Sequence, residues 1–213
     1  MLSDALDSKS LSTASPWGIP VQVLSKTTSS NNELLKLGEE GAATGTLLFS
    51  ERQTAGRGQF QRPWSSDKPL GLWFSLLLRL EISDATIPAL STFAAVAIIE
   101  TLTELGLVNS HIKAPNDVYL EGLKVAGILV ETRVGTSPFA VVGIGLNVNQ
   151  QEKDFPPELQ DRATSLAIAS ETHWNRNLVG CVLLDALGRN EELMRSDPAA
   201  LLARWNSLLV IGK

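Results

Sequence analysis

The middle of the chain is a run of short strand-like segments between Ile112 and Asn149. The dipeptide Glu121-Gly122 separates two of them as a hairpin turn does, and Gly135 opens the next turn. Helical patterns lie before and after this region rather than between regularly alternating strands. Strands gathered in this way predict an α+β fold, a mixed sheet with helices on one face, and argue against a regular parallel α/β fold.

The flanking segments supply further strands and helices. Three apolar, β-rich runs predict strands, and three segments with apolar residues at helical spacing predict helices. A shorter helix is expected after the cap residues Ser29, Ser30 and Asn31, ending at Gly41. The predicted strands are 19–27, 44–53 and 71–80, and the longer predicted helices are 87–106, 177–194 and 198–209.

Length and composition predict one main domain. The chain has 213 residues, of which 44% are apolar and 19% charged, enough for one substantial core. Residues 1–18 are rich in Ser, Asp and Ala without periodicity and are interpreted as a flexible lead-in to a domain spanning 19–208.

Charge and cysteine content narrow the class of function. A net charge of -5 gives no global field for nucleic acid, so no nucleic-acid partner is expected. The single cysteine, Cys181, excludes an intramolecular disulfide and a cysteine-based zinc cluster, and it favours a reducing compartment. The N-terminus lacks the pattern of a signal peptide, and the apolar stretches are too short and interrupted to cross a bilayer. We therefore expect a cytoplasmic protein without a membrane partner.

The first candidate motif is the loop AGRGQFQRPW, from Ala55 to Trp64. Gly56 and Gly58 permit a tight turn with exposed N–H groups, and Arg57 supplies a cation, so the loop is a candidate phosphate lid. It is neither a Walker loop nor a dinucleotide fingerprint. An ordinary solvated connection, with Trp64 as its anchor to the core, remains an equally good reading of the loop alone.

The second motif, KAPNDVYLEGLKVAGILVE, begins at Lys113 and contains Asp117 and Lys124. A lysine on a strand can neutralise a substrate carboxylate held near the α-phosphate of ATP, and a carboxylate can help to hold magnesium. The alternative is an Asn-Asp turn with two solvated lysines.

The third motif, GIGLNVN, places Gly143 and Gly145 where a ligand or another backbone can approach a strand closely. Asn147 can bind a ligand or brace a loop, and tight packing of a central strand is the alternative for the whole motif. The segment from Ser29 to Asn31 is explained more readily as a helix cap than as a ligand contact. Cys181 lies on an apolar helix face without a nearby histidine, so we expect it in the core and not as a nucleophile.

The three motifs, in this order and with this internal spacing, resemble the biotin protein ligases. That family carries GRGRRGRxW, then KWPND followed by KxxGIL[VI]E, then G[IA]G[IL]N. The chain also has SSN at Ser29 to Asn31 where the family has STN, and ATSL at Ala163 to Leu166. The resemblance extends from Val21 to Trp205.

The resemblance implies a fold like that of class II aminoacyl-tRNA synthetases and a two-step reaction. Biotin and MgATP give biotinyl-5'-AMP, which then acylates a lysine of a biotin carboxyl carrier protein of acetyl-CoA carboxylase. The implied biotin site is Ser29, Ser30, Asn31, Gln53, Gly56, Arg57, Lys124 and Gly127. The implied nucleotide site is Arg57, Gly58, Trp64, Lys113, Asn116, Asp117 and Asn147. Lys124, Arg57, Lys113 and Asp117 are the expected catalytic residues, with Asp117 also the expected magnesium ligand.

Some positions depart from the family pattern. Gln59, Phe60 and Gln61 replace an Arg-Arg-Gly run, which predicts looser retention of the adenylate, and Ala114 replaces a tryptophan. About 20 residues precede the domain, so we expect a monofunctional ligase without the winged helix-turn-helix domain of bifunctional members. Residues 209–213 stand where the family's C-terminal β-barrel begins. A monomer or homodimer is expected.

Two other functions stay open on the sequence. A lipoate or octanoate ligase on the same fold matches the motifs less well than a biotin enzyme does. A noncatalytic sensor of biotin or its adenylate is favoured by the altered loop and by the expected loss of the barrel. The identity of the ligand and the release of pyrophosphate distinguish these functions.

Overall fold

The structure is a computed structural model and describes residues 4–210. The strands are β1 (Gln22–Leu24), β2 (Thr46–Ser50), β3 (Gly71–Arg79), β4 (Ser110–Lys113), β5 (Asp117–Leu120), β6 (Leu123–Arg133) and β7 (Phe139–Asn147). The helices are α1 (Ser8–Ala14), α2 (Ser30–Glu39), α3 (Thr86–Glu104), α4 (Leu166–Ser170), α5 (Arg176–Ser196) and α6 (Pro198–Leu208).

The seven strands form one mixed sheet in the order β1-β2-β3-β7-β6-β5-β4. Only the β1/β2 pair is parallel, and the other five pairs are antiparallel. The predicted α+β class is therefore confirmed. The predicted hairpin also forms, because Glu121 and Gly122 both have positive φ, at 52° and 78°.

Alternation along β3 explains how the two faces of the sheet are covered. Leu72, Phe74 and Leu76 enter the large core, which also contains much of α3, whereas Leu77 belongs to a smaller cluster with Leu34 of α2. Helices α1, α3, α5 and α6 pack on one side, and α2 covers part of the other. The expectation that the helices lie on one face is thus corrected. The amphipathic α2 packs on the opposite face, beside the loop from Ala55 to Trp64, which we call the glycine loop.

Helix α3 is the most apolar helix among the described residues. Its 19 residues are long and apolar enough to cross a membrane, but 67% of its 18-residue apolar window is buried within the domain. This burial is that of a core helix, in agreement with the predicted helix that covers the sheet.

The flexible lead-in predicted for residues 1–18 is wrong for the part that the structure describes. Asp7 caps α1 by accepting from the amides of Lys9 and Ser10. Leu11 of this helix is fully buried, and α1 packs against α5. The segment was misjudged because a seven-residue helix with one buried side chain gives no visible periodicity. Residues 1–3 lie outside the described part.

The chain beyond α6 starts to pair with the sheet edge. Leu209 forms a parallel bridge with Ile112 of β4, and the Val210 amide donates to the Ile112 carbonyl at 3.2 Å. Residues 211–213, most of the segment predicted to begin a barrel, lie outside the described residues. That assignment stays a prediction.

Candidate active site

One row of residues crosses five strands on the face opposite α3. Strand register aligns the residues of this row, which we call the glycine row: Trp73, Gly145, Gly127, Asp117 and Lys113. Two of the three sequence motifs thereby meet in the folded chain. The two central positions have no side chain, which leaves a gap in the row between Trp73 on one side and Asp117 and Lys113 on the other.

The loop tryptophan Trp64 lies across the glycine row. A Cβ atom on Gly145 would come within 2.5 Å of its indole, and one on Gly127 within 2.9 Å. Only glycine leaves room for the ring at these positions. Trp64 also meets Trp73 edge to face, with ring centroids 6.3 Å apart. The indole N–H of Trp64 is buried and has no hydrogen-bond acceptor among residues 4–210.

Beside the row, at the start of α2, lies a hydrogen-bonded group that we call the polar end. It consists of Ser29, Ser30, Asn31, Gln53, Arg57, Ser75 and Glu131. Its centre is Gln53, whose Oε1 accepts from the Ser30 amide at 2.8 Å and from the Ser30 hydroxyl at 3.1 Å. The hydroxyl of Ser75 lies 2.7 Å from that of Ser30 and 2.6 Å from Oδ1 of Asn31.

Arg57 closes the glycine loop onto the polar end. Its Nη2 lies 3.0 and 2.8 Å from the two carboxylate oxygens of Glu131, and its Nη1 lies 3.3 Å from the Ser29 hydroxyl. Asn31 donates to the same carboxylate at 2.8 Å. The two charged side chains are only 15% and 25% exposed, so this charge-assisted contact is partly shielded from water.

The row ends in the cationic end, formed by its members Asp117 and Lys113 together with Asn116, Tyr119 and Lys124. Lys124 Nζ pairs with Asp117 Oδ1 at 2.7 Å and stands 5.2 Å from the centroid of the Trp64 ring. The exposed Lys113 lies over Tyr119, with Nζ 5.0 Å from the ring centroid and 3.3 Å from its hydroxyl.

The two asparagines of the predicted nucleotide site brace the protein itself. Asn116 donates from its side chain to the Ile128 carbonyl at 2.9 Å. Asn147 is 4% exposed and donates to the Thr164 carbonyl at 2.9 Å. The Thr164 amide in turn donates to the carbonyl of Lys124 at 2.9 Å. Asn147 therefore acts on the position of Lys124 through one intervening residue.

One histidine near the cationic end, His111, has a shifted pKa. Burial first, and then the positive charge of Lys113, lowers the pKa of His111 below its usual value. His111 stacks on Tyr119, with ring centroids 5.5 Å apart. This imidazole is consequently neutral at pH 7 and adds no charge to the cationic end.

The loop glycines have structural roles in this conformation. A Cβ on Gly56 would lie 2.3 Å from the Ser66 hydroxyl and 2.8 Å from the Trp64 carbonyl. The Gly58 amide donates to the Arg62 carbonyl at 2.8 Å, which closes the tip of the loop. Phe60 and Gln61 at that tip adopt positive φ, and Phe60 is 86% exposed. The predicted loop is therefore tightly turned.

Magnesium was expected at Asp117. Within residues 4–210 there is no cluster of three or more His, Cys, Asp or Glu side chains that could hold a metal ion unaided. A single carboxylate fits a magnesium ion that arrives with nucleotide phosphates, since Mg²⁺ keeps several waters and takes one or two protein carboxylates. For Asp117 to serve in this way, Lys124 must exchange its partner.

Sequence reasoning missed four side chains of this face. Glu131 shares a face with Gly127 by simple alternation along β6, and this signal was available in the second motif. Ser75 is a polar residue within an apolar strand, which is also a readable signal. No local pattern marked Ser66, whose hydroxyl accepts from Gln53 at 3.2 Å, or Tyr119 beneath Lys113.

The fold and the site together define a class: an α+β domain whose sheet carries a hydrogen-bonded polar end and a cationic end beside a loop tryptophan. A family model described as the Biotin/lipoate A/B protein ligase family matches residues 23–149, more than half of the chain. The chain belongs to this family.

Individual relatives agree with this assignment. The bifunctional ligase/repressor BirA of Bacillus subtilis is 42% identical over 188 residues, which are 87% of this chain and 57% of that protein. The biotin--[acetyl-CoA-carboxylase] ligase of Mycobacterium tuberculosis is 34% identical over 174 residues, covering 78% of this chain and 62% of that protein. The chain thus spans about three fifths of the length of these curated relatives.

A solved structure supports the fold directly. The biotin protein ligase from Aquifex aeolicus in complex with biotin and ATP superposes with a TM-score of 0.75 at 30% identity. The match covers 89% of this chain and 78% of that one. The expected ligase fold is therefore confirmed.

Proposed function

We propose that this chain is the catalytic domain of a biotin protein ligase, which joins biotin to ATP and then transfers biotin to a lysine of a carrier protein. The observation that carries the proposal is the arrangement along β6: Glu131, which pairs with Arg57, and Lys124, which pairs with Asp117, lie on either side of Gly127. Membership of the family and the similarity to a ligase bound to biotin and ATP support it. The domain bound at residue 208 is part of the same proposal, whereas the N-terminal bound of 19 is extended to include α1, which packs against α5.

The polar end suits the ureido ring of biotin. That ring is neutral and presents two N–H donors and one carbonyl acceptor, so it needs fixed partners of both kinds. Ser30, Asn31 and Gln53 provide such partners on a buried, already ordered network. Side chains ordered in advance lose little conformational entropy when a ligand binds. Gly56 and Arg57 would close the loop over this ring.

The cationic end suits the reacting charges. With the ring at the polar end, the valeryl chain would run along β6, beside Trp64, and bring its carboxylate to Lys124. A carboxylate oxygen then attacks the α-phosphorus of ATP, forming a mixed anhydride as the bond to pyrophosphate breaks. Lys124 would neutralise the attacking carboxylate, and Lys113 would attract the phosphates.

The remaining nucleotide groups would be held by the loop and by the bracing residues. Gly58 and Trp64 would cover the nucleotide, with Asn116 and Asn147 at its edge. Magnesium bound with ATP would neutralise phosphate charge, and Asp117 would be its protein ligand. In the second step the acceptor lysine amine attacks the anhydride carbonyl and AMP leaves, so no enzyme nucleophile is needed.

The partner implied by this chemistry is a biotin carboxyl carrier domain, and acetyl-CoA carboxylase is the proposed source. A cytoplasmic location is proposed with it, supported by a single partly buried cysteine, Cys181, whose thiol pKa is raised by burial and then by the charge of Asp7. A thiol in that state is poorly reactive.

The test is pyrophosphate release from MgATP by the 213-residue chain, with biotin, with lipoate and without an acid. Release that depends on biotin is expected, followed by mass gain of a purified carrier domain. Release with lipoate alone would assign the chain to lipoate activation. Tight binding of biotin without release would identify a noncatalytic sensor.

A further inference from the structure

Arg176 is the most deeply buried charge outside the site. It is the first residue of α5, its side chain is 2% exposed, and no sequence motif includes it. Its guanidinium bonds three separate parts of the chain: Nε to Asp4 Oδ2 at 2.9 Å, Nη1 to Glu51 Oε2 at 2.8 Å and Nη1 to the Gly71 carbonyl at 3.3 Å. A buried guanidinium is stable only when paired in this way.

Two of these partners bracket the glycine loop. Glu51 directly follows β2, and Gly71 is the first residue of β3. The intervening segment, 52–70, carries Gln53, Gly56, Arg57 and Trp64. Arg176 therefore holds both ends of the segment that supplies the loop side of the site, although it touches none of the site residues.

The N-terminal segment completes this arrangement. The Leu6 amide donates to Glu51 Oε1 at 2.6 Å, so the Glu51 carboxylate is held by Arg176 on one oxygen and by the N-terminal segment on the other. Asp4 also accepts from the amide of Arg176 at 3.3 Å and from Asn149 at 3.4 Å. The backbone N–H of Asn149 donates to the carbonyl of Leu70 at 2.7 Å, and this hydrogen bond also holds the C-terminal end of segment 52–70.

We propose that Arg176 is a positioning residue for biotin adenylation, and that Asp4, on the N-terminal segment, is required for this role. The clamp of Asp4, Arg176 and Glu51 fixes the ends of segment 52–70 and so sets where Gln53 and Arg57 meet biotin. The inference rests on the proposed function. It predicts an effect confined to the loop side, because Lys113, Asp117 and Lys124 are carried by β4, β5 and β6.

The test compares two carboxylates of the same N-terminal segment. Asp4→Ala removes one partner of Arg176 and keeps Glu51, so the buried charge stays paired. Asp7→Ala is the matched control, because the Asp7 side chain bonds the α1 amides of Lys9 and Ser10. Arg176→Lys keeps the charge but replaces the forked guanidinium with a single ammonium group. All three are assayed well below their unfolding temperatures.

We expect Asp4→Ala and Arg176→Lys to raise the KM for biotin on the order of tenfold, since small displacements of positioning groups are costly. The KM for ATP should rise as well, because Gly58 and Trp64 lie on the same segment. The kcat should change less than about twofold, because β6 carries Lys124 independently of the clamp. Native-state hydrogen exchange of the Gln53, Gly58 and Trp64 amides should accelerate in both variants. In Asp7→Ala all of these quantities should match the wild type while the unfolding temperature falls.

A fall in kcat with both KM values unchanged, or no change in any of these quantities, would reduce Arg176 to a structural ion pair. The same conclusion would follow if Asp7→Ala reproduced the effect of Asp4→Ala. If the wild-type chain releases no pyrophosphate with biotin, the proposed function fails, and the exchange rates of the loop amides then decide alone whether the clamp positions the loop.

Discussion

The polar end and the cationic end lie on either side of Gly127 along β6, but they are built differently. Ser30, Asn31 and Ser75 at the polar end are at most 4% exposed and bond one another. At the cationic end Lys113 is exposed, and the side chains of the Lys124 and Asp117 pair are 29% and 23% exposed. The side chains of the polar end are buried and hydrogen-bonded to one another, whereas the cationic end keeps its charges near water.

This difference indicates how each end meets a ligand. A network that is already satisfied can receive a neutral ring by small exchanges of hydrogen bonds, without moving a charge. The Lys124 and Asp117 pair must instead separate if each is to bind a substrate group. Specific shape is thus expected from the polar end, and reactivity from the cationic end.

The strongest test of this division is Lys124→Ala. Loss of the cation that faces the reacting carboxylate should lower kcat for adenylate formation about 100-fold or more. The free energy of unfolding should change by less than about 1 kcal/mol, because the pair is partly exposed. Single-turnover pyrophosphate release measures the first quantity, and urea unfolding the second.

Lys36→Ala serves as the control for Lys124→Ala. The Lys36 side chain is 73% exposed and pairs only loosely with Glu40, at 3.9 Å. Wild-type turnover in Lys124→Ala would remove this residue from the reaction and would leave the cationic end without its central group.

Asn147→Ala tests whether the cationic end is held from behind. The substitution leaves the Thr164 carbonyl and Gln150 Nε2 without their partner in a buried region, which should lower the free energy of unfolding by about 2 kcal/mol. Because Thr164 bonds the backbone of Lys124, kcat should also fall. Urea unfolding and steady-state kinetics measure the two effects.

The outcome for Asn147 separates two roles for this residue. A raised KM for ATP with unchanged stability would make Asn147 a nucleotide contact only. Asn190→Ala is a suitable control, because Asn190 is 1% exposed and its bonds to Glu100 and Ala186 lie within the helical layer. It should lower stability without changing the KM for ATP.

The two ends of the site also show what the sequence could predict. Motif spacing selected Lys124, Arg57 and Asn147 as candidates, and alternation predicted the strands that carry Lys124 and Asn147. It could not show that Asn147 points at Thr164 rather than at a ligand, because a hydrogen-bond partner depends on how the loop after β7 folds back. The seven-strand order likewise depends on long-range pairing that local patterns do not contain.

The contacts of Arg176 with Asp4 and Glu51 were the part of the structure least predictable from the sequence. Arg176 and Asp4 are 172 positions apart, and neither belongs to a recognisable motif. The polar, aperiodic N-terminus predicted flexibility, because its order comes from contacts with α5 and not from its own composition. By contrast, Glu131 was predictable from alternation along β6, since Gly127, Leu129 and Glu131 share one face.

Glu131→Gln addresses the polar end. The amide keeps a bond to Asn31 but removes the charge that holds Arg57, so the loop should close less often over biotin. The Kd for biotin should rise roughly tenfold, consistent with the loss of one charge-assisted hydrogen bond. Isothermal titration with biotin measures the change without requiring turnover.

Glu39→Gln is the matched control for Glu131→Gln. Glu39 of α2 pairs at 2.9 Å with Arg133 of β6, the strand that also carries Glu131, but the Glu39 side chain is 58% exposed. Its removal should leave biotin binding unchanged. If both variants bind biotin like the wild type, Arg57 does not need Glu131, and the polar end is less tightly organised than its geometry indicates.

The smallest effect is expected from Lys113→Ala. Lys113 is exposed and contacts the ring and hydroxyl of Tyr119, so its attraction for phosphate is screened by water and salt. The KM for ATP should rise about threefold at low ionic strength and less at high salt, with kcat unchanged. Tyr119→Phe, which keeps the ring and removes the hydroxyl, should have a still smaller effect. A loss in Lys113→Ala as large as that of Lys124→Ala, insensitive to salt, would show that the cationic end closes around its ligand and is no more open than the polar end.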